Sequence, residues 1–152
     1  GQIIFDRFWE AAKPLALLKS NLTRFWETEG NKTFVKGIDG RKIHTRAKHA
    51  LVNSLFQSCG AICMDYAGAF MDRWLGGIIL DKNNLPCYYL RGKKVRRIGY
   101  WHDEYLYECE PEVADLLGKM IVKAIVKAGE HLKLKVPLAA EYHIGKNWAE
   151  VH

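Results

Sequence analysis

Apolar residues recur at helical spacing in three stretches of the chain, and each stretch predicts a helix that buries one face. Residues 3–29 predict two helices separated by a break, because Pro14 suits a first helical turn and Gly30 suits a helix end. The strongest periodicity covers residues 48–75. The last long helix is predicted for residues 111–133, which begin with a proline.

Shorter segments between these helices have the alternation and the aromatic or β-branched content of strands. Asp39-Gly40 and His102-Asp103 each separate two such segments, as the turns of hairpins do. Residues 76–92 are predicted to be an irregular connector. The predicted strands are 32–36, 42–45, 95–101, 104–109 and 138–143. This order predicts an α+β fold, in which long helices pack on one face of an antiparallel sheet.

The helix predicted for residues 48–75 has an apolar and a polar face. Its apolar stripe is predicted to be Val52, Phe56, Cys59, Cys63, Ala67, Phe70 and Trp74. Asn53 and Gln57 are four residues apart and therefore share a face, which Gly60 and Ala61 continue with little bulk. Two interpretations stay open: an amide pair on a solvated face, or a surface that a ligand can approach closely.

The composition is that of an ordinary globular protein, with 49% hydrophobic and 26% charged residues, and the formal net charge is +6. Part of the positive charge is local, because residues 91–97 contain five Lys and Arg without an acid. Such a run either attracts nucleic acid phosphates or forms a solvated loop, and charge alone favours neither.

Two further patterns narrow the class of protein. No run of about 18 apolar residues is present, so no membrane span is predicted. The cysteines, Cys59, Cys63, Cys87 and Cys109, form neither a C-x-x-C pair nor a zinc-ligand spacing. This usage favours a reduced protein inside a cell.

Four short motifs follow one another in a specific order. They are residues 36–41 in the first hairpin, 53–61 on the long helix, 101–104 around the second hairpin turn, and Gly145-x-Asn147-Trp148 near the end. Each motif is weak by itself, and an Asp in a hairpin turn normally serves turn chemistry. In this order and on these elements, they resemble the palm region of family A DNA polymerases, the family of bacterial polymerase I and of the replicative polymerases of short-tailed phages. Trp101-His102-Asp103-Glu104 resembles motif C of that family.

The resemblance implies nucleotidyl transfer assisted by two Mg²⁺ ions, which stabilise the attacking and leaving oxygens. It assigns Asp103 as a metal ligand, because hard cations prefer carboxylate oxygens. It also implies that Glu104 is a supporting acid beside Asp103 and that His102 lies near the backbone of the primer end. Glu141 and His152 are candidates for closing over the site.

The implied partners are primer–template DNA and a deoxynucleoside triphosphate. Asn53 and Gln57 would contact minor-groove edges, where the acceptors are shared by both orientations of an A·T pair, so that pair geometry is tested without sequence readout. Arg41, Arg46 and His49 are candidates for holding phosphates, although ordinary surface roles are equally consistent with the residues.

Within this family, a second catalytic aspartate and a triphosphate-binding fingers helix are also needed, and the sequence shows neither pattern. Residues 1–30 are expected to be helices that follow the fingers, and residues 31–152 the palm region. The chain is therefore expected to be a fragment or subunit that is inactive without the remaining portion. Its expected location is the cytoplasm of a bacterial or phage-infected cell.

Three other interpretations remain. The main one is a non-catalytic, nucleic-acid-binding accessory protein built on a polymerase palm. A single-subunit phage RNA polymerase palm would also carry His-Asp in this position, but a serine is expected after the aspartate, where this chain has Glu104. A small α+β structural protein with accidental motifs is the third.

Overall fold

The computed structural model describes residues 2–151, so His152 lies outside the described part. The fold is α+β, as predicted, and the chain forms two compact units, Gly1–Gly60 and Ala61–His152. The helices are α1 (Gln2–Ala11), α2 (Lys13–Glu27), α3 (Leu51–Trp74), α4 (Pro111–His131) and α5 (Trp148–Val151), with one 3₁₀ turn at Lys48–Ala50. The strands are β1 (Phe34–Lys36), β2 (Lys42–His44), β3 (Ile79–Leu80), β4 (Pro86–Leu90), β5 (Lys93–Trp101) and β6 (Glu104–Cys109).

The first unit is built around one buried tryptophan. Trp26 on α2 packs with Val35 of β1 and Leu51 at the start of α3, and its indole Nε1 donates a 3.0 Å hydrogen bond to the carbonyl of Thr45. A buried indole N–H needs such an acceptor, so this bond fixes the hairpin of β1 and β2 against α2. The hairpin is antiparallel, with Lys36 directly opposite Lys42.

Gly30 allows β1 to follow α2 at close range. A Cβ at this position would lie 2.2 Å from the carbonyl oxygen of Phe34 and 2.9 Å from the Cα of Trp26. Both neighbours are backbone atoms, which cannot rotate away. The glycine is therefore required by the close approach and not only as a helix end.

The second unit contains a four-stranded antiparallel sheet in the order β3-β4-β5-β6. Tyr88 of β4 and Val95 of β5 are paired and buried, and α3 and α4 add Ala67, Met71, Leu117, Ala124 and Ala128 to the same core. Val113 belongs to this core too, so that the buried residues of α4 recur at helical spacing. None of the described helices is long and apolar enough to cross a membrane.

Two predictions about this unit are wrong, and one about α3 is wrong in part. Residues 76–92 are not an irregular connector, because they form β3 and β4 and pair with each other and with β5. Residues 138–143 form no strand. Instead, two side chains of this segment pack on α4. Leu138 fills the space beside Gly129, and Tyr142 fills the space beside Gly118. On α3, which runs through both units, the predicted stripe is correct in part: Cys63 and Ala67 are buried, but Phe56 is 53% exposed, and Ile62, Met64, Met71 and Leu75 are buried outside the stripe.

The basic segment 91–97 is neutralised within this unit. Lys93 lies 2.7 Å from Glu110, and Arg97 lies 3.5 Å from Asp72. Asp81, whose side chain is only 3% exposed, accepts hydrogen bonds from both Lys94 and Arg96. Four of its five basic residues therefore tie β5 to α3, to the turn between β3 and β4 and to the start of α4, and the run is not a solvated loop.

Asp81 also organises the turn between β3 and β4. Its Oδ1 accepts the backbone N–H groups of Asn83 at 2.9 Å and Leu85 at 3.0 Å. The hydrogen bond from Lys94, together with these backbone bonds, holds the pKa of Asp81 far below its usual range. One carboxylate thus satisfies donors from the turn and from β5.

Replacing Gly30 by alanine should destabilise the first unit by about 1 to 3 kcal/mol, because the added methyl group meets backbone. Gly60→Ala is the matched control, since no described atom lies within 4 Å of a Cβ placed on this helical residue. Alanine there should leave stability unchanged or raise it by up to about 1 kcal/mol. Urea denaturation followed by circular dichroism measures both, and equal stabilities of the two variants would contradict the close approach at Gly30.

Replacing Asp81 by asparagine should lower the urea midpoint at pH 7. The folded-state pKa of Asp81 is depressed, so its stabilisation is present above the unfolded-state value of about 3.9 and is lost as the pH falls further. Wild-type stability should therefore decline below about pH 4, and Asp81→Asn should decline less. Asp115→Asn, at a side chain that is 63% exposed, should change the pH 7 midpoint much less. Equal effects of the two substitutions would refute this role.

Candidate functional site

The second unit presents Asp103 at the tip of a tight hairpin. Trp101 pairs with Glu104 across β5 and β6, so that His102 and Asp103 alone form the turn. His102 has a φ of 53°, the left-handed conformation that two-residue hairpin turns need. The side chains of His102 and Asp103 are exposed and that of Glu104 is half-buried. The predicted hairpin is confirmed: the first strand ends at Trp101 and the second begins at Glu104, as expected.

Tyr105 anchors this hairpin to α3. Its hydroxyl donates a hydrogen bond to the carbonyl oxygen of Met64, and its ring lies 5.0 Å from that of Tyr100. Gly68 makes the approach possible, because a Cβ there would lie 2.6 Å from the Tyr105 hydroxyl. The strand that follows Asp103, β6, is therefore fixed to a helix two residues after this aspartate. No sequence pattern indicated this anchor.

A row of polar groups extends from this hairpin to α3 and β4. The Arg97 guanidinium lies 5.6 Å from the centre of the Tyr105 ring and 3.5 Å from Asp72, and Asp72 accepts a 2.6 Å hydrogen bond from the hydroxyl of Tyr88. Burial raises the pKa of Tyr105 to about 12. The phenol therefore keeps its proton, and its hydrogen bond to the helix, at a higher pH than an exposed tyrosine would.

Asp65 is an acidic residue near the hairpin that the sequence analysis did not select. Burial, followed by the negative charges of Asp65 and Asp103, raises the pKa of Tyr100. Both carboxylates are therefore close enough to Tyr100 to act on its ionisation. Asp65 also lines a cavity of about 360 Å³ with Tyr100 and Tyr105. Its position eight residues after Gln57, on the same predicted helix, was the available signal.

The exposed carboxylate of Asp103 is chemically suited to a hard divalent cation, and Glu104 is the adjacent acid. Among residues 2–151, no group of three or more His, Cys, Asp or Glu side chains has the arrangement of a metal site. Asp103 and Glu104 therefore fit part of a magnesium site, and further ligands would have to come from elsewhere.

The amide pair lies on α3 within the first unit. Asn53, Phe56, Gln57 and Gly60 are all exposed, and their spacing of three, four and seven residues gives them one continuous face. A Cβ at Gly60 would meet no described atom within 4 Å, so the helix backbone is open there. The face has two amides, one aromatic ring and a bare turn of helix.

The predicted phosphate ligands lie in the same unit. Arg41 follows the turn between β1 and β2, and its Nε lies 2.8 Å from the carboxylate of Asp39. Burial alone would raise the pKa of Asp39, but hydrogen bonds from the backbone and side chain of Arg41 hold it below its usual range. Arg46 precedes the 3₁₀ turn and His49 lies within it, and both are exposed. Part of the charge of Arg41 is therefore already balanced.

Comparison with known proteins links the whole chain to phage DNA polymerases, although no protein-family model matches it. It is 27% identical over 159 residues to the DNA-directed DNA polymerase of Escherichia phage Phieco32. It is 31% and 30% identical over 167 residues to the DNA-directed DNA polymerases of Enterobacteria phage T3 and Escherichia phage T7. Each match covers 100% of this chain but only 22–23% of the relative. The chain thus spans less than a quarter of the length of these curated relatives and resembles one part of a larger polymerase.

Proposed function

We propose that this chain is part of a template-dependent DNA polymerase of family A and forms its palm region, with residues 1–30 as the helices that follow the fingers. The observation that carries the proposal is the exposed Asp103 at a two-residue hairpin tip, in a chain whose full length is similar to phage DNA polymerases. The helix face with Asn53 and Gln57 adds a second surface suited to DNA.

Asp103 serves as a ligand of the catalytic metal ions. When bound, two Mg²⁺ ions would neutralise charge on the attacking and leaving oxygens. The hairpin holds the Asp103 carboxylate at a fixed position, because the anchor of Tyr105 on α3 begins only two residues away. Glu104 adds negative charge beside it, and His102 presents an exposed imidazole at the same tip, near the primer backbone.

Asn53 and Gln57 position the primer end. Their side-chain amides can donate hydrogen bonds to the minor-groove acceptors, which occupy similar places in every A·T pair. Contacts of this kind test the shape of a base pair and ignore its sequence, as template copying requires. Arg41, Arg46 and His49 supply phosphate contacts in the same unit.

Catalysis requires another portion of the polymerase. Asp103 and Glu104 provide too few ligands for two metal ions, and the triphosphate needs cationic groups close to its phosphates. We assign both needs to a portion that carries a second aspartate and the fingers. The substrates are primer–template DNA and deoxynucleoside triphosphates, and the reaction takes place in the cytoplasm of the bacterial or phage-infected cell.

Primer extension tests this assignment. The chain alone should not extend a primer with Mg²⁺, whereas a mixture with the portion supplying the second aspartate and fingers should. Asp103→Asn should reduce the restored rate by about a thousandfold or more, because it removes a metal ligand worth several kcal/mol to the transition state. Gln57→Ala should reduce it roughly ten- to a hundredfold, because it removes positioning only.

Asp115→Asn is the matched control for charge, since it removes one exposed carboxylate from α4. Its extension rate should equal that of the wild type. Extension by the chain alone would refute the need for another portion. Full activity of Asp103→Asn would remove the catalytic assignment and leave the non-catalytic accessory protein as the better explanation.

A further inference from the structure

We infer that the exposed face of the hairpin formed by β1 and β2 binds the phosphate backbone of the primer–template duplex through Lys36 and Lys42. This inference rests on the proposed function, and it adds two phosphate contacts at residues that are neither among the phosphate ligands implied by the resemblance nor part of the basic run 91–97. The face consists of Phe34, Lys36, Lys42 and His44.

Strand geometry defines this face. Val35 is fully buried and Ile43 is half-buried against it, so the alternate residues of both strands point the other way. Lys36 and Lys42 are directly opposite each other, and both are exposed. Two like charges at such a cross-strand position repel each other and destabilise a hairpin. An anion held between them would remove that cost.

Aromatic rings hold the two ammonium groups without neutralising them. The Nζ of Lys36 lies 5.4 Å from the centre of the Phe25 ring, and the Nζ of Lys42 lies 4.7 Å from that of Phe34. The two rings contact each other edge to face at 5.9 Å. A cation–π contact orients a lysine but leaves its full charge available, whereas an ion pair consumes that charge.

The acids of the chain leave this face positive. Residues 32–49 contain six Lys and Arg and a single acid, Asp39, which is bound by Arg41. Lys48 pairs with Glu27 at 2.8 Å. Neither Lys36 nor Lys42 has an acidic partner among residues 2–151. By contrast, Lys93, Lys94, Lys119 and Lys127 all have one.

Duplex phosphates fit these features well. Lysine binds phosphate as a point charge without strict orientation, which suits a contact that must slide along DNA during copying. The same unit carries the amide face of Asn53 and Gln57, for which we propose minor-groove contacts. Phosphates border the minor groove on both sides. A protein surface that contacts minor-groove edges through amides therefore lies close to phosphates, which cations can bind.

Salt dependence of binding tests the inference on the full chain. Fluorescence anisotropy of a labelled primer–template duplex gives the affinity between about 50 and 200 mM NaCl. Lys36→Gln/Lys42→Gln should make the negative slope of log affinity against log salt shallower by about 1.8, which corresponds to two lost phosphate contacts. Lys119→Gln/Lys127→Gln removes the same charge from ion-paired, exposed lysines of α4 and should leave the slope unchanged.

A charge-conserving variant separates charge from folding. Lys36→Arg/Lys42→Arg should restore the wild-type slope, and circular dichroism should show the same helix content for all variants, because both lysines are exposed. A slope that does not change in Lys36→Gln/Lys42→Gln, or that falls equally in the α4 control, would overturn the inference. Either result would leave the proposed polymerase function intact, because primer extension with Asp103→Asn tests that separately. A wild-type chain that does not bind the duplex would also overturn it.

Discussion

The second unit depends on the contact between the hairpin of β5 and β6 and the helix α3. Tyr105 reaches the carbonyl of Met64 only because Gly68 has no side chain, and burial raises the pKa of its phenol. The residues of the hairpin tip, Trp101, His102 and Asp103, are exposed. A carboxylate at such a tip is useful for metal binding only if the strands beneath it are fixed, and the hydrogen bond from Tyr105 of β6 to α3 provides that fixation.

Charge pairing supports the same hairpin from its other end. Asp81 gathers Lys94 and Arg96, and Lys93 pairs with Glu110 at the start of α4. These contacts join β5 to the turn between β3 and β4 and to the start of the last long helix. The basic run therefore stabilises the unit that carries the site, and acids of the protein itself balance most of its positive charge.

Local signals predicted the parts of this fold that local chemistry determines. The four long helices and the hairpins at Asp39-Gly40 and His102-Asp103 follow from spacing, prolines and turn residues, and the position of Asp103 at a tip followed with them. The strand predicted for residues 138–143 was wrong. The side chains of this segment fill gaps beside two glycines of α4, and such contacts leave no periodic signal in the sequence. The buried face of α3 was misplaced in part, because Ile62, Met64 and Met71 are buried as well as the predicted Cys63 and Ala67. This helix is apolar on several sides, so the partner elements, and not its own pattern, choose which residues are buried.

The two basic segments show why charge in a sequence is a poor guide to a binding surface. Residues 91–97 have the denser charge, but the acids that neutralise them are Asp72, Asp81 and Glu110, which are 13 to 25 positions away in sequence. Lys36 and Lys42 are less conspicuous, yet they meet aromatic rings and each other instead of an acid. What matters for a polyanion is the charge that remains after the protein has paired its own groups. By that measure the first unit, and not the basic run, has the surface to which a phosphate backbone would be attracted.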